Sequence, residues 1–289
     1  MNSEIRKDPI VGRWVIIAAS RAERPNAFVA SSRWDQSGPC PFCEGRESET
    51  PDEVLAYRES GSEPNRPGWR VRVVPNKFPA LDDAGEAHRR SLGMYDAIDG
   101  VGAHEVIIES PDHLTSTSEL SIDRLTEVFA AYRHRLAAWK RDRRLAYGMI
   151  FKNVGSLAGA SLEHTHSQMI ATPIVPVSVL DELAGGAEFH RRTGECIWCE
   201  MVRRELADGH RVVLETPNFV AICPYASRLP FETWVLPKAH ASHYETVTDE
   251  HLGELAGVMK RVVTKIETAL DMPAYNYIVH TAPFDMSDV

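Results

Sequence analysis

Apolar positions along this chain follow two periods. Short stretches alternate or run apolar in the manner of strands, at 14–18, 69–74, 105–109, 147–151, 211–214, 219–222, 231–236 and 275–280. Two longer stretches have helical spacing. Over 119–142, Leu125, Val128, Phe129, Tyr132, Leu136 and Trp139 recur at intervals of three and four, and over 249–270 Leu252, Leu255, Met259, Val263, Ile266 and Leu270 do the same. Such stripes face a core and are assigned no chemistry. The stretch 59–68, ESGSEPNRPG, is a loop by composition.

The elements come twice in the same order. Each pass has a Cys-x-x-Cys pair, strands, a strand closed by a proline and then a histidine (His113, His240), a long helix and a tyrosine-led strand. From His113 to Tyr147 is 34 residues, and from His240 to Tyr275 is 35. This reads as an internal duplication. The first pass continues into a second strand holding His164 and His166, and the 128-residue offset between Tyr147 and Tyr275 places its counterpart past Val289. The second copy is therefore expected to lack its last strand, with truncation as the favoured cause. The expected division is 1–178 and 179–289.

Bulk properties narrow the function. At 289 residues, 43% hydrophobic and 25% charged, the chain suits a globular protein with a sizeable core. A net charge of −9 without a basic run argues against nucleic acid and for a small-molecule substrate. No apolar run reaches membrane-spanning length and MNSEIRKDP is no signal peptide, so a cytoplasmic protein without membrane partners is expected.

The candidate chemistry gathers between Asn153 and Pro176. A loop of small residues (Gly155, Ser156, Gly159, Ala160, Ser161) can turn backbone N–H groups towards an anion. His164 and His166 follow, with Gln168 beside them on one strand face. A neutral imidazole there suits nucleophilic attack on phosphorus, although a bare His-x-His also fills a polar strand face without chemistry. Cys40/Cys43 and Cys196/Cys199 read as metal half-sites before redox pairs. Arg21 and Arg24, just past a strand, could meet phosphate or belong to a solvated turn.

The combination of CPFC, ESPDH and NVGSLAGASLEHTHSQ, with VVPNKFPAL between the first two, is specific in its CPFC, ESPDH and central motif where each alone is weak. With Arg6-x-Asp8-Pro9, Trp14-Val15 and RAERP before it, and PFETWVLPKAHASHYE and YNYIVHTAP after it, the chain resembles the galactose-1-phosphate uridylyltransferase family over nearly its whole length. That family is the transferase branch of the histidine-triad superfamily. The resemblance implies an α+β fold of two fused histidine-triad-like halves, each an antiparallel sheet with a long helix, and a homodimer. It implies a ping-pong nucleotidyltransferase that moves UMP from UDP-glucose to galactose 1-phosphate through a uridylyl-histidine.

By position, His166 matches the nucleophile and Gln168 the residue that hydrogen-bonds the phosphoryl oxygens. Asn76, Phe151, Asn153, Gly159 and Ser161 match the nucleotide and phosphate pocket. Cys40, Cys43, His113 and His164 match the ligands of a structural zinc.

Two departures matter. Thr165 stands where the commonest form of the triad, His-Pro-His, has a proline that would fix the backbone dihedral. HTHSQ and the second cysteine pair look like an ADP-glucose phosphorylase sub-branch, which moves an adenylyl group onto phosphate, and there Cys196, Cys199 and His240 would hold a second zinc. Glu182 and His280 match part of an iron-like site of other members. A reading of another class is a non-catalytic, zinc-stabilised nucleotide-binding protein.

Overall fold

The computed structural model describes residues 4–12, 14–17 and 39–286. Near the start β1 (Glu4–Lys7) and β2 (Trp14–Ile17) form an antiparallel pair. The main sheet is built from β3 (Leu55–Arg58), β4 (Trp69–Pro75), β7 (Ala103–Ile108), β8 (Tyr147–Val154), β9 (His166–Thr172) and β13 (Tyr275–Val279). Their order across it is β13-β8-β9-β7-β4-β3, with every neighbour antiparallel. A small hairpin, β5 (Arg89–Leu92) with β6 (Tyr95–Ile98), stands apart from it.

Helix α1 (Ile122–Trp139) starts where Ser121 accepts a hydrogen bond from the Arg124 N–H. It is shorter than the periodicity suggests because 117–119 forms a separate 3-10 turn with its own capping box at Ser116. All six apolar residues of its expected stripe are buried, against Val71, Val73, Ile107, Ile150 and Met169 on the back of the sheet. Each such side chain contributes about 2 kcal/mol by leaving water.

The second sheet is β10 (Val212–Glu215), β11 (Phe219–Ile222) and β12 (Trp234–Pro237), also antiparallel. Helix α4 (Asp249–Leu270) serves both sheets: Leu252 and Ala256 join the first core, Val258 and Val262 the second. Antiparallel sheets packed by helices, with α1 and α4 behind the main sheet and helices on both faces of the small one, make the α+β class expected from the sequence. Among the described residues no helix is long and apolar enough to cross a membrane.

β8 and β13, the tyrosine-led strands of the two passes, are antiparallel neighbours in the main sheet. In the β8–β13 ladder Ile150 pairs with Val279 and Phe151 with Ile278. The 128-residue offset carries Ile150 to Ile278 and Phe151 to Val279, so the two pairs exchange under it. Any antiparallel pairing of the two strands exchanges in this way, so the ladder is compatible with the repeat whatever its register.

Two helices and one strand differ from the sequence pattern. Helix α2 (Val177–Thr193) buries no residue and carries Gly185 and Gly186 at its centre, so it has neither a stripe nor high propensity. Gly185 is needed there: a Cβ would sit 1.8 Å from the Ile10 carbonyl oxygen, where the N-terminal segment crosses the helix. Helix α3 (Ile197–Asp208) begins directly after Cys196. β12 starts later than expected because Phe231 takes φ 62°, the left-handed region, which ends extended structure.

Candidate active site

β9 presents its side chains alternately to the two faces of the main sheet. Its partners across the ladders are Ile108 for His166, Val106 and Phe151 for Gln168, and His104 for Ile170. Directly opposed residues share a face, so His166, Gln168, Phe151, Val106 and His104 lie in front, while Thr165, Ser167 and Met169 face the helices. Phe42, between the first two cysteines, packs edge-on to His166 and His164 with ring centres 5.3 and 6.0 Å away. The cysteine knuckle thus covers the histidines.

His166 is buried (5% exposed), and its Nδ1 is 2.7 Å from the His164 carbonyl oxygen. A carbonyl only accepts, so Nδ1 carries the proton and Nε2 the lone pair. Burial holds the imidazole below its ordinary range, with the Lys152 charge pushing the same way, which keeps it neutral at pH 7. A neutral imidazole with its lone pair on Nε2 is the nucleophilic form.

Gln168 is held from the side by His104, a residue that belongs to none of the motifs in the sequence. The Ala80 N–H donates to His104 Nδ1 at 3.1 Å, so the ring proton is on Nε2, 2.9 Å from Gln168 Oε1. That fixes the amide oxygen of Gln168 inward and turns its NH2 outward as a donor. Asn76, its Oδ1 accepting from the Phe78 N–H, sets its Nδ2 3.0 Å from the same ring nitrogen, and with the proton on that nitrogen the contact brings two donors together and is no hydrogen bond. The one signal for His104 is its parity with Val106 on a strand beside His166.

The small-residue loop follows β8. Gly155 has φ 84° and ψ 151°, 156–158 form a 3-10 turn, and Gly159 is left-handed at φ 86°. The N–H groups of Ala158, Gly159 and Ala160 are bonded within this turn, to Gly155 and Ser156 carbonyls, rather than turned towards an anion as the composition suggested. Asn153 lies on the front face next to it, its Oδ1 accepting from Asn276 Nδ2 at 2.6 Å, while Ser161 is exposed. Arg21 and Arg24 lie outside the described residues.

Cys40, Cys43, His113 and His164 converge, their donor atoms all within 4.8 Å of one another. His164 Nδ1 is 3.6 Å from both thiols, and His113 Nδ1 is 3.4 Å from Cys43 Sγ. A tetrahedral zinc with ordinary bond lengths separates sulfur and nitrogen ligands by about 3.6 Å, so the set fits that ion. His164 Nε2 donates to the Ser110 carbonyl at 2.8 Å, which leaves Nδ1 bare for a metal. Burial, set against that bond, pushes its pKa down to about 4. Cys196, Cys199 and His240 form a second cluster of three, with Cys199 Sγ 3.4 Å from His240 Nδ1. Glu182 and His280 meet at 3.0 Å as a pair, and no larger metal-ligand cluster includes them among the described residues.

The family described as galactose-1-phosphate uridyl transferase matches this chain through its N-terminal domain over 1–176 and its C-terminal domain over 183–289. ADP-glucose phosphorylase of Arabidopsis thaliana is 37% identical over 290 residues, spanning 99% of this chain and 80% of that protein. Galactose-1-phosphate uridylyltransferase of Haemophilus influenzae is 27% identical, spanning 98% and 79%. The crystal structure of the Arabidopsis thaliana phosphorylase with bound ADP-glucose superposes with a TM-score of 0.81 at 35% identity, over 99% of this chain and 84% of that one. A uridylyltransferase structure superposes at 0.74 and 27% identity, over 96% and 80%. With both family domains matched in order along one α+β chain, this protein belongs to the galactose-1-phosphate uridylyltransferase family, whose members are enzymes of nucleotidyltransferase type.

Proposed function

We propose that this chain is a nucleotidyltransferase working through a covalent nucleotidyl-His166, with ADP-glucose as donor and inorganic phosphate as acceptor. The carrying observation is the 2.7 Å bond from His166 Nδ1 to the His164 carbonyl, which leaves Nε2 as the free nucleophile in a buried, uncharged ring. Nε2 attacks the α-phosphorus, and the bond from that phosphorus to the bridging oxygen of glucose 1-phosphate breaks. Glucose 1-phosphate leaves. A phosphate oxygen then attacks the same phosphorus, the P–N bond breaks, and ADP departs with His166 restored. The outward NH2 of Gln168 donates to the phosphoryl oxygens as charge develops, and Asn153 serves the same pocket beside Phe151 and Asn76.

A zinc held by Cys40, Cys43, His113 and His164 would supply orientation, since four protein ligands leave no open position for chemistry. Cys196, Cys199 and His240 would hold a second metal in the same structural sense. The adenylyl preference rests on similarity: 37% identity to an ADP-glucose phosphorylase against 27% to a uridylyltransferase reverses the order suggested by the motifs alone. UMP transfer from UDP-glucose to galactose 1-phosphate is the second reading, supported by the family to which both domains belong. The division into halves at 178/179, a homodimer and a cytoplasmic setting belong to this reading too.

Intact mass after mixing with ADP-glucose alone, and separately with UDP-glucose alone, tests it. An adenylyl adduct absent from His166→Ala supports the first reading, and a uridylyl adduct would move the assignment to the second. No adduct from either, with metal bound and the protein folded, would refute the covalent mechanism and leave a nucleotide-binding protein.

A further inference from the structure

Thr165 is where this chain departs from His-Pro-His, and its side chain points away from the substrate face into the core, 2% exposed. Its Oγ1 donates to Glu109 Oε2 at 2.7 Å and accepts from Lys152 Nζ at 2.6 Å. Lys152 and Glu109 also pair directly, and both side chains are fully buried (0% each). Glu109 directly follows β7, Lys152 is on β8 and Thr165 directly precedes β9, so one triangle ties the three central strands behind the histidines. Further along the same face, Tyr132 donates to Ser167 Oγ at 2.7 Å and meets Tyr277 at 2.8 Å.

A buried ion pair is a poor way to gain stability, because apolar residues of the same volume do as well or better. What it provides is a fixed direction. The peptide unit joining His164 to Thr165 is bonded at both ends: its carbonyl accepts from His166 Nδ1, and its N–H donates to the Leu114 carbonyl at 2.6 Å. Rotation of that plane would swing the His166 ring and withdraw the bond that keeps the proton on Nδ1. A proline at 165 would fix φ but has no N–H to give Leu114. A hydroxyl clamped by a carboxylate and an ammonium holds the plane and keeps that bond.

We propose that Lys152, Glu109 and Thr165 are positioning residues which, in place of a proline ring, lock the His164–Thr165 peptide plane and thereby aim His166 Nε2 at phosphorus. The inference rests on the nucleotidyl-His166 reading. It predicts an effect on the rate of transfer rather than on the affinity for nucleotide sugar.

The test compares Thr165→Val, which keeps volume and loses both bonds, with Thr165→Ser, which keeps the hydroxyl, in the metal-loaded full chain. Three quantities are read: the single-turnover rate of His166 nucleotidylation by ADP-glucose, the ADP-glucose dissociation constant from the same series, and hydrogen exchange of a peptide covering 164–168 without substrate. In the valine variant the rate should fall about tenfold and exchange should quicken by a similar factor, with affinity within about twofold and metal content unchanged. Serine should restore rate and protection.

A valine variant with wild-type rate and protection would overturn the proposal, as would a serine variant no better than valine. If the valine variant fails to fold, Lys152→Met with Glu109→Leu removes both charges together and is read in the same way. Should the wild-type chain form no adduct from ADP-glucose or UDP-glucose, the functional reading fails, and the exchange measurement still decides whether the triangle holds the plane.

Discussion

Asn276 on β13 donates Nδ2 to Asn153 Oδ1 at 2.6 Å and to the Ala158 carbonyl at 2.9 Å. A residue from the second pass of the repeat therefore orients an amide of the pocket and holds the turn next to it. With its oxygen occupied, Asn153 has its NH2 left as a donor beside Gly159, the group the proposed mechanism would use. Asn276→Ala should slow nucleotidyl transfer about fivefold to twentyfold while costing only about 1 kcal/mol in stability, because Asn276 is exposed and each bond is a modest net term. Adduct kinetics beside thermal unfolding check this. A double variant with Asn153→Ala should be little slower than Asn153→Ala alone.

His104 and Gln168 are expected to behave as one unit. Gln168→Ala removes a donor to the developing charge and should slow adduct formation about a hundredfold. His104→Ala leaves that donor in place but lets the amide flip, so a loss of about tenfold is expected. The combined variant should match Gln168→Ala, since a misaligned amide no longer matters once it is absent. Losses that multiply would show that His104 acts in some other way.

The strand holding His166 and Gln168 and the four convergent Cys and His side chains were legible because each sits in a short motif of unusual residue types. The strands and both long helices were legible because their periods are strong. Helix α2 was not, since it buries nothing and its glycines serve a crossing chain (Ile10) that only the fold reveals. His104, Asn276 and the Lys152–Glu109 pair escaped for another reason. Their significance lies in partners far away in the sequence, such as Gln168, 64 residues from His104, Asn153, 123 from Asn276, and Glu109, 43 from Lys152, and no local pattern carries that information. The loop illustrates the converse: its composition suggested an anion nest, but three of its N–H groups close its own turn.

Metal uptake should release protons and strengthen with pH. Burial, together with the neighbouring Cys40 charge, pushes the Cys43 thiol up to about 11, so it is protonated in the metal-free protein throughout the neutral range. His164, down at about 4, is already neutral there and has no proton to lose. Ligation of Cys43 as thiolate must therefore displace one proton, and affinity should rise about tenfold per pH unit between about 6.5 and 8.5 for each thiol proton displaced. Competition with a chelator at several pH values measures the slope, and an indicator dye counts the protons. A flat profile would mean that this thiol is ionised before metal arrives.

Gly155→Ala tests whether the turn after β8 tolerates any side chain. At φ 84° and ψ 151°, Gly155 occupies a region that is essentially glycine-only. An added Cβ would also lie 2.9 Å from the Cβ of Ala274, just ahead of β13. Strain and contact add, so a loss of about 2–4 kcal/mol is expected. Gly159→Ala gives the contrast. Its φ of 86° is left-handed too, but the nearest atom to a new Cβ is Asn153 Nδ2 at 3.8 Å, so only the backbone term of about 1–2 kcal/mol applies. Denaturant unfolding of both variants separates the two costs. If Gly155→Ala costs no more than Gly159→Ala, β13 shifts freely against β8 at that point. The transfer rate should then survive the substitution. If the larger cost is seen, the rate should fall with it, because Ala158 and Ala160 both donate to the Gly155 carbonyl and the turn cannot move without releasing them.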